Sequence, residues 1–342
     1  MSEIRSALVV KISSILSLKF NFLILFFFIS QITIAQLNPK DYAESITSEE
    51  LQGLLYTYAS DYFSGRETGE KGQKIAVDFL RDYYISHGIS SANGTDNFFQ
   101  KMILKIKKEK VKTENVVAII TGSEKPEEYI VISAHLDHVG KNNGEIFNGA
   151  DDDGSGTVAL LEIAEAFQKS VLNGDGPKRS IVFLHVTGEE KGLLGSKYYT
   201  ENPLYPLEKT VANLNVDMVG RLDPKRKDKD PNYIYLIGSD KLSQELHDIS
   251  EKMNSDFINL KIDYTFNDEQ DPNRFYYRSD HYNFAKKNIP IIFYFNGTHE
   301  DYHKSTDTPE KINYPMLTKR SKLIFYTAWK LANQENRIKL NK

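Results

Sequence analysis

Short runs that are apolar at nearly every position recur along this chain, and they restrict its fold more than anything else in it. Tyr129-Ile-Val-Ile-Ser133 and Ile181-Val-Phe-Leu-His-Val186 are two of them. A strand with one wet face alternates apolar and polar residues, so a strand without alternation is covered on both faces. Residues 98–107, 115–121, 211–217, 233–238 and 290–295 read as further strands. Helical periodicity marks 49–60, 70–87, 156–173, 240–253 and 315–333; in 156–173, Val158, Leu161, Ile163, Ala164 and Phe167 form one apolar face. Strands alternating with helices predict an α/β fold: a single α/β/α domain with a mostly parallel, mixed central sheet and helices on both faces. Loops at the carboxyl ends of such strands are where the site is expected.

The polar residues that interrupt this pattern are not scattered. Five clusters follow in order: His135-Leu-Asp137-His138, Asp151-Asp152-Asp153-Gly-Ser155, Glu189-Glu190, Asn215-Val-Asp217, and Asp301-Tyr302-His303 with Asp307. His135, Glu189, Glu190 and Asp217 each fall just past an apolar run. Each cluster alone has an ordinary explanation. His135 suits a strand end, the Asp triplet a helix N-terminus, Glu189-Glu190 an exposed turn. Together they bring imidazoles and carboxylates from five loops toward one sheet edge, the donor set of a hard or borderline metal. The chain has no Cys, so disulfides and thiolate ligands are excluded. The spacing from Asp151 to Glu162 loosely matches a calcium-binding EF-hand loop. The residues leading into it, Lys141 to Gly149, are turn-like rather than helical, and Glu162 falls inside a predicted helix.

The N-terminus has a different character. Arg5, Lys11 and Lys19 precede the apolar run Phe20–Ile29, and Ala35 offers a small residue for cleavage. This predicts a signal peptide over 1–35 and a catalytic domain over 36–342. The run is short of the ~20 residues a membrane span needs, so no stable membrane span is expected once the leader is removed. The formal net charge of −4 argues against nucleic acid as a partner. The leader is basic, so the remainder is more acidic still.

At these clusters the chain resembles the co-catalytic two-zinc aminopeptidases, the zinc exopeptidases of the secreted bacterial leucyl aminopeptidase and aminopeptidase Y type. The resemblance covers roughly residues 49–335 and includes Ser279-Asp280-His281 with Ile289-Pro290. It implies two Zn2+ per chain. Asp152 would bridge them, with His135 and Asp217 on one ion and Glu190 and His303 on the other. It also implies Glu189 as general base on a metal-bridging water, Tyr276 as a hydrogen-bond donor to the tetrahedral intermediate, and a cis peptide after Asp152. Asp137 is the expected acceptor for the second ring nitrogen of His135. Asp280, Asp301 and Asp307 are alternatives for the same service to His303. Of the remaining histidines, His87 and His247 are assigned to the surface and His185 to buried structure, while His138, His281 and His299 lie near the site without binding metal.

The reading is therefore an exported enzyme, periplasmic or secreted, that hydrolyses N-terminal residues from peptide substrates. Two alternatives share the fold. A glutaminyl cyclase-like acyltransferase would use one zinc. A carboxypeptidase or dipeptidase would need a cation for the substrate carboxylate, for which Arg221, Arg274 and Arg278 are available.

Overall fold

The computed structural model describes residues 38–342; the expected signal peptide over 1–35 lies outside the described residues. Eleven strands are named β1 (Ser90–Ser91), β2 (Phe99–Ile106), β3 (Glu109–Ile120), β4 (Lys125–His135), β5 (Gly140–Asn142), β6 (Glu145–Phe147), β7 (Arg179–Val186), β8 (Thr210–Val216), β9 (Tyr233–Ile237), β10 (Lys261–Asp263) and β11 (Ile291–Phe295). The α-helices are α1 (Pro39–Ala43), α2 (Ser48–Tyr58), α3 (Lys71–Ser86), α4 (Gly156–Leu172), α5 (Leu194–Glu201), α6 (Gln244–Met253), α7 (His281–Ala285) and α8 (Tyr314–Asn333).

Nine strands form one mixed sheet in the order β1-β3-β7-β4-β8-β11-β9-β10, with β2 also on β3. The middle of it, β7-β4-β8-β11, is parallel throughout, with Ile130 opposite Ile181 and Ala212, and Phe293 opposite Asn215. The flanks turn antiparallel where β3 meets β7 and β9 meets β11. The sheet is thus parallel where the site forms and mixed at its edges.

Every residue of β7, β8, β9 and β11 is buried, as their lack of alternation requires. In β7, Val182, Leu184 and Val186 join Tyr199 of α5 and Phe284 of α7 in a core on one face. Ile181, Phe183 and His185 alternate to the other face, where Tyr84 of α3 meets Phe183 and His185. On that face α8 packs with α2, α4 and α6, and Phe167 meets Phe325 at 4.7 Å.

Local chemistry sets the helix ends. Thr47 caps α2: its hydroxyl accepts from Glu50 N–H and donates to the Glu50 carboxylate. Ser243 caps α6 through Leu246 N–H, and Asn313 caps α8, with Pro315 in its first turn. One feature differs from the sequence expectation: residues 140–147 form the β5–β6 hairpin rather than an irregular turn. Helix α5 begins after Leu193 adopts the left-handed conformation.

Candidate metal centre

Four adjacent parallel strands end side by side, and each releases one polar loop. β4 ends on His135, β7 leads into Glu189 and Glu190, β8 into Asp217, and β11 into the loop bearing His303. Asp152 comes from the turn that starts α4. Five donors from five loops meet because the strands that carry them are neighbours.

Asp152 stands between the imidazoles. Its Oδ1 lies 3.1 Å from His135 Nε2, and its Oδ2 lies 3.0 Å from His303 Nε2. His135 Nε2 also faces Asp217 Oδ1 at 3.6 Å, and His303 Nε2 faces Glu190 Oε2 at 3.2 Å. The structure thus brings together the residues whose roles the resemblance implied: His135, Asp152 and Asp217 on one side, Asp152, Glu190 and His303 on the other. The peptide between Asp152 and Asp153 is cis.

Supporting contacts fix each donor. The His135 Nδ1–H donates to the carbonyl of Asp137 at 3.0 Å. A carbonyl can only accept, so the proton sits on Nδ1 and Nε2 presents its lone pair to Asp152 and Asp217. The Asp137 side chain does not do this work, contrary to the sequence expectation. Its Oδ1 is 4.0 Å from His135 Nδ1, and the carboxylate instead accepts from Thr68 Oγ1 and Glu189 N–H. Asp217 Oδ2 accepts from Ser279 Oγ at 2.6 Å, and Ser279 in turn accepts from Asn215. Asp307 accepts the N–H groups of Asp151 and Asp152.

Asp153 belongs to the frame rather than to the donors. Its carboxylate accepts three backbone N–H groups, from His135, Gly156 and Met218. Although it lies near His135 and Asp217, its lone pairs are committed to holding β4, the α4 turn and the Asp217 loop in register.

None of the three aspartates weighed for His303 bonds its ring. Asp280 accepts from Ser196, Asp301 from Arg221, Lys311 and Thr306, and Asp307 from the Asp151–Asp152 backbone. Tyr302 stacks on His303 instead, with ring centroids 4.0 Å apart.

The electrostatics call for positive charge. Burial pulls the His303 imidazole down, but Asp152 and Glu190 outweigh it and lift the pKa to about 10. Burial and the Asp152 charge push Glu190 up, yet the His138 and His303 imidazoles hold it at about 2. Buried polar atoms here also lack hydrogen-bond partners: His135 Nε2, Asp152 Oδ2 and Glu190 Oε1. Unpaired buried donors converging on one region, with nitrogen and carboxylate oxygen as their only chemistry, suit divalent metal ions.

Glu189 is different. Burial, the largest influence, pushes its pKa well above the carboxylate range, and His135 opposes it. It lines an adjoining cleft with Asp152 and Asp217, and Met218, Phe275, Phe293, Phe295 and Tyr302 give that cleft apolar walls. Tyr276 is not among the residues lining this cleft. Its ring packs against both apolar cores and lies edge-on to Tyr277, His281 and Tyr282. The short 3-10 turn Phe275–Tyr277 presents Phe275 to the cleft. Of the three arginines, Arg278 lines the cleft, Arg221 is held by Asp301 at 2.9 Å, and Arg274 lies over the Tyr277 ring.

Arg66 was not anticipated. It is buried, and its guanidinium donates to the carbonyls of Leu136, Asn148, Gly149 and Tyr58. It thereby ties the His135–His138 loop to the strand-like approach of the Asp151–Asp153 loop. Gly149 sits at φ 53°, where a Cβ would strike the Asp152 carbonyl and the His138 ring.

The family model described as Peptidase family M28 matches residues 115–328, a span that contains every donor. The chain belongs to peptidase family M28. A probable leucine aminopeptidase of Arthroderma otae is 29% identical over 312 residues, covering 86% of this chain and 80% of its own length. The fold is shared with BSAP, a zinc aminopeptidase of Bacillus subtilis, at a TM-score of 0.65 and 14% identity, covering 86% of this chain and 98% of that one. It is also shared with the glutaminyl cyclase of Porphyromonas gingivalis, at 0.64 and 18% identity, covering 82% and 97%. As an M28 peptidase, the chain is a hydrolytic enzyme, and its donors offer two metal positions joined by Asp152.

Proposed function

We propose that this M28 peptidase is an aminopeptidase that holds two zinc ions and removes N-terminal residues from peptides. The observation that carries this reading is the place of Asp152, whose two oxygens face His135 and His303 separately. A carboxylate so placed can serve two positions at once. His135, Asp152 and Asp217 would hold one zinc, and Asp152, Glu190 and His303 the other. Once bound, the pair would supply Lewis-acid polarisation of the scissile carbonyl and acidification of water.

The protein's own part is positional. Glu189 extends from the loop after β7 into the cleft, its backbone fixed by Asp137. Its carboxylate would take a proton as water attacks the carbonyl carbon, then pass that proton to the departing amine nitrogen as the C–N bond breaks. Its neighbour Glu190 is turned the other way, toward His303 and His138, so the two adjacent carboxylates have separate tasks.

Export would follow from cleavage after Ala35, which leaves the catalytic domain over 36–342. No helix among the described residues is long and apolar enough to cross a membrane.

One observation favours a second reading. Arg278 lines the cleft and has no ion-pair partner among the described residues, so it can meet a substrate carboxylate, as a dipeptidase or carboxypeptidase requires. One set of peptides separates these activities. An aminopeptidase cleaves a peptide with a free N-terminus and amidated C-terminus and spares its N-acetylated form. A carboxypeptidase spares the amidated peptide and cleaves an N-acetylated peptide whose C-terminus is free. A cyclase converts only N-terminal Gln, with loss of ammonia and no chain cleavage.

A further inference from the structure

His138 is not expected to bind metal from its sequence setting, but its geometry does not suit a structural histidine. The residue is wholly buried. Its N–H donates to the Arg66 carbonyl at 3.3 Å, and its ring covers Gly149, where no side chain could fit. So held, His138 Nδ1 lies 2.9 Å from Glu190 Oε1 and 3.8 Å from Asp152 Oδ2, and its ring stands edge-on to His303 at 5.7 Å.

Neither ring nitrogen of His138 makes a hydrogen bond, and neither does Glu190 Oε1. At 2.9 Å the pair is in contact without meeting the geometry of a hydrogen bond. A buried imidazole with no partner at either nitrogen is rare. His138, Asp152 and Glu190 each offer a ligand atom, all within 4.8 Å of one another, the spacing that donors of one cation have.

We propose that His138 Nδ1 is a further metal donor, acting with Asp152, Glu190 and His303. This rests on the two-metal reading above and extends it. The two positions become unequal: three side chains on the His135 side, four on the His138 side. A neutral nitrogen adds no charge but fills a coordination place. The position richer in ligands then serves mainly to hold its ion, and the vacancy for substrate falls toward Asp217 and Glu189. The cleft agrees with this asymmetry, since Asp152, Glu189 and Asp217 line it and His138 does not.

The donor atoms give the test. His135 and His303 present Nε2, whereas His138 presents Nδ1. The protein, labelled with nitrogen isotope in histidine and loaded with a spin-half cadmium isotope, is read by NMR for cadmium–nitrogen coupling in the imidazole rings. The expected result is three coupled rings, two through Nε2 and one through Nδ1, with the Nδ1 coupling absent in His138→Gln. Two coupled rings, both through Nε2, would overturn the proposal and leave His138 a positioning residue for Glu190. Should His138→Gln fail to fold, the ring pattern of the unaltered protein still decides, because Nδ1- and Nε2-bound imidazoles give different proton–nitrogen patterns. Failure to bind cadmium at all would overturn both this proposal and the two-metal reading. Three coupled rings in a protein without aminopeptidase activity would uphold the proposal and reject only the activity.

Discussion

The carboxylate of Asp307 accepts the backbone N–H of Asp152 at 3.2 Å, so a residue four positions past His303 orients the aspartate that His303 faces. The same oxygen accepts Asp151 N–H at 3.0 Å. The two loops that meet at the metal positions are therefore joined behind the donors as well as through them. Asp307→Ala removes no donor but leaves two buried N–H groups without an acceptor. It is expected to weaken metal retention roughly 10–100-fold, the scale for lost supporting contacts. A competitive chelator titration measures this, and unchanged retention would show that Asp152 is held by other means.

Glu189→Gln keeps the shape of the side chain and removes its basicity. Both metals should remain, and turnover should fall at least ~10²–10⁴-fold, the usual contribution of a positioned proton-transfer group. Metal content and steady-state rates on the same preparation check the two halves separately. Near-normal turnover would remove Glu189 from the mechanism.

Arg66 donates to four carbonyls on three segments, three of them buried. Arg66→Ala strands several of them at ~1–3 kcal/mol each, and a loss of about 3 kcal/mol or more in denaturant unfolding is expected. Arg66→Lys should rescue little, because an ammonium cannot reproduce the planar fork.

Glu162 supplies a pH test away from the metal positions. Burial, helped by Glu50 and Glu165, raises its pKa to about 8. A carboxyl whose folded pKa exceeds its unfolded value near ~4.3 favours the folded state fully only below the unfolded value. That contribution is lost as pH climbs through the folded value. Glu162→Gln should therefore be more stable than the unaltered protein at pH 9 and nearly equal to it at pH 4. Thermal melts at both values would show the gap opening with pH; a gap independent of pH would contradict the assignment.

Much of the frame was legible because the signal was local. The unalternating run 181–186 could only be a doubly covered strand, and its end placed Glu189 and Glu190. Asp217 and His135 followed by the same logic. Helix α8 was found within a residue at each end, since Asn313 and Pro315 mark its start. Other features lay beyond sequence reasoning because they are settled by tertiary hydrogen bonds. Nothing local tells that Arg66 will be buried on carbonyls 70 and more residues away. Nothing local says that the Asp137 carbonyl, rather than its carboxylate, will take the His135 proton. Phe275 and Tyr276 are neighbours of similar size, and which of them faces the cleft depends on the 3-10 turn that carries them.

Asp152 is the carboxylate on which both proposed metal positions depend. The most direct test is metal bound per chain, by elemental analysis, in the unaltered protein and in Asp152→Ala, alongside hydrolysis of aminoacyl-anilides. Two zinc ions per chain with chelator-sensitive hydrolysis, and loss of both ions and activity in Asp152→Ala, are the predicted results. A single ion in the unaltered protein, or two retained in Asp152→Ala, would rule out a shared Asp152.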